Sequence, residues 1–121
     1  MKDVLVTTFA VLALFSGVVH AQEDIEKKKI DFLISSVENL KGAKFIRNGT
    51  EHDGKEAADH LRKKLKSAGA RVRSAEDFIT LCASKSYTSG KPYMIRSSDG
   101  KTMNSERYFR EKLKEYDSIT K

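Results

Sequence analysis

Phe45–Leu61, FIRNGTEHDGKEAADHL, holds a turn, a helix cap and a helix start in one short run. Asn48-Gly49 is a strong two-residue hairpin signal, because both residues tolerate positive φ. Its arms are expected at Phe45–Arg47 and Thr50–His52. Asp53 then stands as the N-cap of a helix, with Glu56 three residues on to complete a capping-box-like pair. Ala57, Ala58, Leu61, Leu65 and Ala68 fall on one inner face of that helix, and Gly69 ends it.

Working downstream, Ser74 opens a short helix, with Asp77 at its third position. Phe78, Leu81 and Cys82 are expected to face inward, with Ile79 at the edge. Tyr93–Arg96 reads as a strand, Ser97-Ser98-Asp99-Gly100 as a turn and Lys101–Met103 as the returning strand. Ser105 is expected to cap a last helix that places Phe109, Leu113 and Tyr116 on one face. Upstream, Ile30, Leu33, Val37 and Leu40 make an apolar stripe on a helix over Glu23–Lys41, stopped by Gly42.

The order is therefore α-ββ-α-α-ββ-α, about four helices and two β-hairpins. It predicts one small α+β domain with the hairpins forming antiparallel sheet against the helices. The order contains an echo. FIRNGTEHDGKEAADHL and YMIRSSDGKTMNSERYFREKL share Ile-Arg, a glycine-containing turn, a cap and a leucine eight residues after that cap, Leu61 and Leu113. Such self-similarity can mark a repeated unit, though hairpin-helix grammar alone accounts for it nearly as well.

The N-terminus reads as an export signal. Lys2 supplies the positive start, Val4–Val19 is an apolar run, and Val19-His20-Ala21 places small residues at the cleavage positions. The run is shorter than the roughly 20 residues that span a bilayer, and acidic Gln22-Glu23-Asp24 follows it rather than a basic stop. Residues 1–21 are thus expected to be removed, leaving 22–121 as a single domain in the periplasm or outside the cell. No cysteine follows the apolar run, which argues against a lipoprotein. Cys82 is the single cysteine, so no intrachain disulfide can form in that oxidising compartment and packing must supply the stability. A buried thiol is the expected state.

Several chemistries fail on spacing. In ASKSYTSGKPYMIR, Ala83–Arg96, Gly90-Lys91 has Lys85 where a phosphate loop needs its first glycine and Pro92 where it needs a hydroxyl. No serine of this stretch lies three residues before a lysine, so a Ser-x-x-Lys pair is missing as well. Glu56 and His60 stand at i, i+4, a spacing compatible with metal ligation, but no third ligand has a recognisable spacing. A solvated side-chain pair is the simpler account. No catalytic residue, cofactor or metal is assigned.

Arg62, Lys63, Lys64, Lys66, Arg71 and Arg73 form an acid-free basic run in a chain of net charge +6. Such a run can attract an anionic envelope surface or an acidic protein. Nucleic acid is disfavoured, because an exported chain rarely meets it and no aromatic residues are interleaved for base stacking.

FIRNG, EAADHLRKK, SAEDFITLCASKS, SGKPYMIR and SERYFREKLKEY together resemble a family of small exported proteobacterial proteins classed as a domain of unknown function. The resemblance runs from about Ile30 to Tyr116. It implies a Gram-negative exported protein and carries over no catalytic residue. A shorter similarity joins Ser89-Gly90-x-x-Tyr93 to the loop that periplasmic lysozyme inhibitors place in the lysozyme cleft. Those inhibitors are β-rich, whereas this chain reads as helix-rich, and its positive charge would oppose a strongly basic lysozyme. The sequence therefore points to a non-catalytic envelope-accessory or binding module, its partner an envelope protein or an anionic envelope surface. The alternatives are a cell-wall hydrolase inhibitor acting through Ser89, Gly90, Lys91 and Tyr93, and an enzyme with an unrecognised site. Ser89, Lys91 and Tyr93 are expected to tuck inward and close the hairpin rather than project outward to a partner.

Overall fold

A computed structural model describes residues 21–120. Most of the expected signal segment lies outside the described residues. Helix α1 runs over residues 21–38. Then come β1 (Lys44–Arg47), β2 (Thr50–His52), α2 (Gly54–Ala68), a 3-10 turn (Gly69–Arg71), α3 (Ala75–Cys82), β3 (Met94–Arg96), β4 (Thr102–Asn104) and α4 (Ser105–Ile119). The predicted α+β order holds.

Local chemistry sets the boundaries. Asn48 and Gly49 take φ of 52° and 79°, closing the first hairpin with Arg47 opposite Thr50. The Glu56 amide donates to Asp53 Oδ1 at 2.8 Å and the Asp77 amide to Ser74 Oγ at 3.0 Å, so both expected caps form. Gly69, at φ 54°, ends α2.

All four strands join one antiparallel sheet in the order β2-β1-β3-β4. The two hairpins meet through their first strands, with Phe45 opposite Ile95. Opposed residues share a face, so His52, Phe45, Ile95 and Met103 form one row across the sheet. Phe45 and Ile95 are buried there, and α2, α3 and α4 pack as the second layer. Leu33, Val37, Phe78, Ile79, Cys82 and Phe109 form the fully buried centre. The Phe78 and Phe109 rings meet edge to face at 6.1 Å. Each buried phenyl contributes ~1.5–3 kcal/mol.

Two buried contacts fix α1. Glu26, 8% exposed, accepts a hydrogen bond from the Ala75 amide at 2.9 Å and pairs with Lys29 at 3.3 Å. Its carboxylate thus serves an orphan donor at the start of α3. Gly54 passes so close to the end of α1 that a Cβ there would lie 2.5 Å from the Val37 carbonyl oxygen.

Three expectations are corrected. Ile79 is fully buried and Leu81 only half-buried. Ala75, Phe78, Ile79 and Cys82 follow i, i+3, i+4, i+7, the wider stripe needed by a helix packed between α2 and α4. Ser105 is the first helical residue rather than the cap. The ladder continues to Asn104, which takes the cap position, and the Ser105 amide donates to Tyr93 O at 2.8 Å. Helix α1 stops at residue 38, before Leu40 and the expected end at Lys41, and Gly42 follows at φ 72°.

The echo is a matter of architecture and not of residue equivalence. Each hairpin leads into a 15-residue helix, and β1 lies beside β3 at the centre of a symmetric strand order. Yet Ile46 is opposite Met94, while Ile95 is opposite Phe45. The matching Ile-Arg pairs therefore differ by one residue in register and point to opposite faces. Arg47 lies on the helix side with Phe45. Arg96 lies on the outer side, paired with Glu51.

Candidate binding cleft

Because Arg47 ends β1 on the helix-facing side, it reaches α2. Its Nη1 sits against the His60 ring, hydrogen-bonded to Nδ1 and 2.9 Å from Nε2. Nε2 also faces Tyr93 Oη at 3.3 Å, so the ring lies between the guanidinium and the phenol. Lys64, one helical turn beyond His60, donates to the same phenol oxygen at 2.9 Å and to the Lys85 carbonyl at 3.1 Å. Its ammonium also lies over the Tyr87 and Tyr93 rings, 4.3 and 4.8 Å from their centres. A continuous polar chain thus runs Arg47–His60–Tyr93–Lys64.

Burial and cationic neighbours set the protonation states. Desolvation, followed by Arg47 and Lys64, pulls His60 down to about 4, so the ring is neutral near pH 7. Burial is also the main cause that lowers Lys64 and raises Tyr93. The shift at Tyr93 keeps its phenol protonated at neutral pH, whereas burial works against the charged form of Lys64.

Two cavities share Arg47, His60 and Tyr93 in their walls. The larger, about 410 Å³, has Phe45, Leu61 and Phe109 among its apolar walls and His52, Glu56 and Lys63 among its polar ones. His52 Nδ1 pairs with Glu56 at 3.4 Å, while the buried Nε2 finds no protein partner. The smaller, about 380 Å³, lies against the loop between α3 and β3, where it includes Lys64, Ser86, Tyr87 and Thr88.

That loop is tied down. The Gly90 amide donates to Ser86 O at 2.9 Å, the Ser86 amide to Lys91 O at 3.0 Å, and Ser89 Oγ to Asn48 Oδ1 at 2.5 Å. Ser89, Gly90 and Lys91 are exposed, whereas Tyr93 is turned inward at 8% exposure. The expectation that all three of Ser89, Lys91 and Tyr93 tuck inward is thus corrected: the polar tip, held by its own turn hydrogen bonds, faces outward and Tyr93 alone turns in.

The basic run divides as well. Arg62 pairs with Glu38 at 2.6 Å and Asp59 at 3.5 Å. Arg71 Nε donates to the Ala68 carbonyl at 3.3 Å. Lys66 and Arg73 are exposed, and Lys63 borders the larger cavity. Lys64 alone of the six turns into the cleft between α2 and the loop. The Glu56–His60 spacing does not bring those two side chains together, since Glu56 takes His52 and His60 takes Arg47. Among the described residues, no three His, Cys, Asp or Glu side chains converge as metal ligands.

Sequence reasoning missed Arg47 and His60 as members of one site. The alternation Phe45, Arg47 was the available signal, since residues two apart on a strand share a face.

Residues 24–117 match the family of unknown function DUF5329. The chain belongs to this family. It is also 40% identical over 68 residues to the uncharacterised protein YfeK of Salmonella typhimurium, covering 56% of this chain and 57% of that protein. The match thus spans little more than half of that relative. No solved structure matches the chain. The family match takes in α2, the α3–β3 loop and both hairpins, so every residue of the Arg47–Lys64 chain lies inside the DUF5329 region.

Proposed function

We propose that this DUF5329 protein is an exported, non-catalytic binding module of the bacterial envelope, processed after Ala21 and using the cleft beside His60 to hold a small ligand. The observation that carries the reading is the pair of cavities meeting at Arg47, His60 and Tyr93. Apolar walls with a few convergent polar groups are the usual composition of a ligand site. The buried, unpartnered Nε2 of His52 adds a polar atom that a ligand would satisfy.

The non-catalytic part rests on how the reactive side chains are engaged. Cys82 is fully buried and its thiol is pushed up by burial, away from the nucleophilic thiolate. His60 contacts Arg47 and Tyr93 through its ring nitrogens. The export part rests on the residue pattern of the first 21 positions. Among the described residues no helix is long and apolar enough to cross a membrane.

The test uses protein recovered from the periplasm. Intact mass should show cleavage after Ala21. Thermal denaturation against a small-molecule panel should find compounds that raise Tm in the wild type and not in His60→Phe. Failure of every compound to stabilise the wild type, or equal stabilisation of the variant, would sink the cleft as the binding site.

A further inference from the structure

The two cations at the smaller cavity hold unused donors. Arg47 engages His60 through Nη1 alone, leaving Nε and Nη2 without a protein partner among the described residues. Lys64 gives two N–H groups to Tyr93 Oη and Lys85 O, leaving a third. No carboxylate lines this cavity, and neither cation forms an ion pair among the described residues. Arg47 and Lys64 repel each other across the two groups between them. Withdrawing like charges from water is costly unless an opposite charge offsets it. Ser86 and Thr88 add hydroxyls, their Oγ atoms 3.0 Å apart. Tyr93 Oη accepts from Lys64 and lies 3.3 Å from His60 Nε2.

Resting on the cleft-binding reading above, we infer that this cavity seats the phosphate of a small phosphomonoester between the Arg47 guanidinium and the Lys64 ammonium. The bonded Ser86–Thr88 hydroxyl pair has one hydrogen left to donate, and the organic body lies past His60 in the larger cavity. A phosphomonoester presents three acceptor oxygens and close to two negative charges, which suits two cations and a neighbouring hydroxyl donor. A carboxylate offers two oxygens and one charge. His52, whose Nε2 has no protein partner, is among the residues lining the larger cavity, where the body of such a ligand would lie.

The experiment is calorimetric titration of the full processed chain with inorganic phosphate, glucose 6-phosphate, glucose, glucuronate and vesicles containing phosphatidic acid. Glucose 6-phosphate should bind more tightly than inorganic phosphate, and glucose and glucuronate far more weakly. Arg47→Gln and Lys64→Gln should each weaken binding by about tenfold or more, with Lys66→Gln as an unaffected control, and added salt should weaken it further. Binding of the vesicles alone, with the same dependence on Arg47 and Lys64, keeps the phosphomonoester chemistry and assigns it to a lipid headgroup. Should Lys64→Gln fail to fold, amide shifts in the wild type decide. They should centre on Lys64, Ser86 and Thr88, and a centre elsewhere overturns the proposal. Preference for glucose or glucuronate overturns the phosphate while leaving the cleft a binding site. No binding by any probe, with no stabiliser in the wider panel, removes both.

Discussion

Lys64 Nζ and Tyr93 Oη lie 2.9 Å apart, and through that bond the second half of α2 holds the loop that leads into β3. The phenol is buried and the lysine half-buried, so neither end of the bond is freely hydrated. Tyr93→Phe removes the acceptor without changing the ring. The variant should lose ~1–2 kcal/mol of stability, the range for a buried polar group left without its partner. Amide exchange across 84–93 should quicken more than in the sheet. Unchanged exchange in the loop would show that the tether does not hold it.

Gly54→Ala should destabilise although alanine is the better helix former. Propensity favours alanine by ~1 kcal/mol. Its methyl, however, would stand 2.5 Å from Val37 O and 3.2 Å from Glu38 O, both backbone atoms that cannot rotate away. The expected outcome of urea denaturation is a net loss of about 2 kcal/mol or more, in the range found for overpacking. A stabilised variant would mean that α1 and α2 separate readily.

His60 makes stability depend on acid. Burial and then the Arg47 charge hold the folded ring near 4, against an ordinary 6.5. Between those values the unfolded chain binds a proton that the folded chain refuses, so stability falls as pH drops from 6.5 toward 4 and is level above 6.5. After allowance for solvent screening at a partly exposed ring, the loss is about 1–2 kcal/mol. Denaturation midpoints across that window should fall more steeply for wild type than for His60→Gln. Parallel curves would remove His60 as the cause.

Glu26→Ala should cost ~1–3 kcal/mol, because the Ala75 amide then starts α3 with a buried, unsatisfied N–H. Glu26→Gln keeps an acceptor and should recover most of the loss. Chemical denaturation of the two variants checks this, and equal losses would assign the effect to charge rather than to the hydrogen bond.

What could be read in the sequence was what short stretches decide. The Asn48-Gly49 turn and the caps at Asp53 and Ser74 involve residues two or three apart, and each formed as expected. The site depends on longer relationships. Whether Arg47 points to helix or solvent follows from its pairing opposite Thr50 and from Phe45 opposite Ile95, a register between segments 50 residues apart. The shared Ile-Arg pair suggested likeness where the register imposes opposite faces. Lys64 looked like the rest of its run because charge alone does not tell which lysine meets Tyr93. Ser105 resembled a cap because the extra ladder pair at Asn104 is set by β3.

The pairing of Phe45 with Ile95 also bears on how the chain reaches its native state. Each hairpin and the helix after it can assemble from neighbouring residues, on the microsecond scale of hairpin closure. The seam between β1 and β3 must wait until α2, α3 and the loop after them have been gathered between the halves. That closure carries the entropy of a long loop. The rate-limiting ensemble is therefore expected to contain two formed halves and an unzipped middle. Phe45→Leu should then speed unfolding and barely slow refolding in stopped-flow measurements, whereas a change at Asn48 should slow refolding.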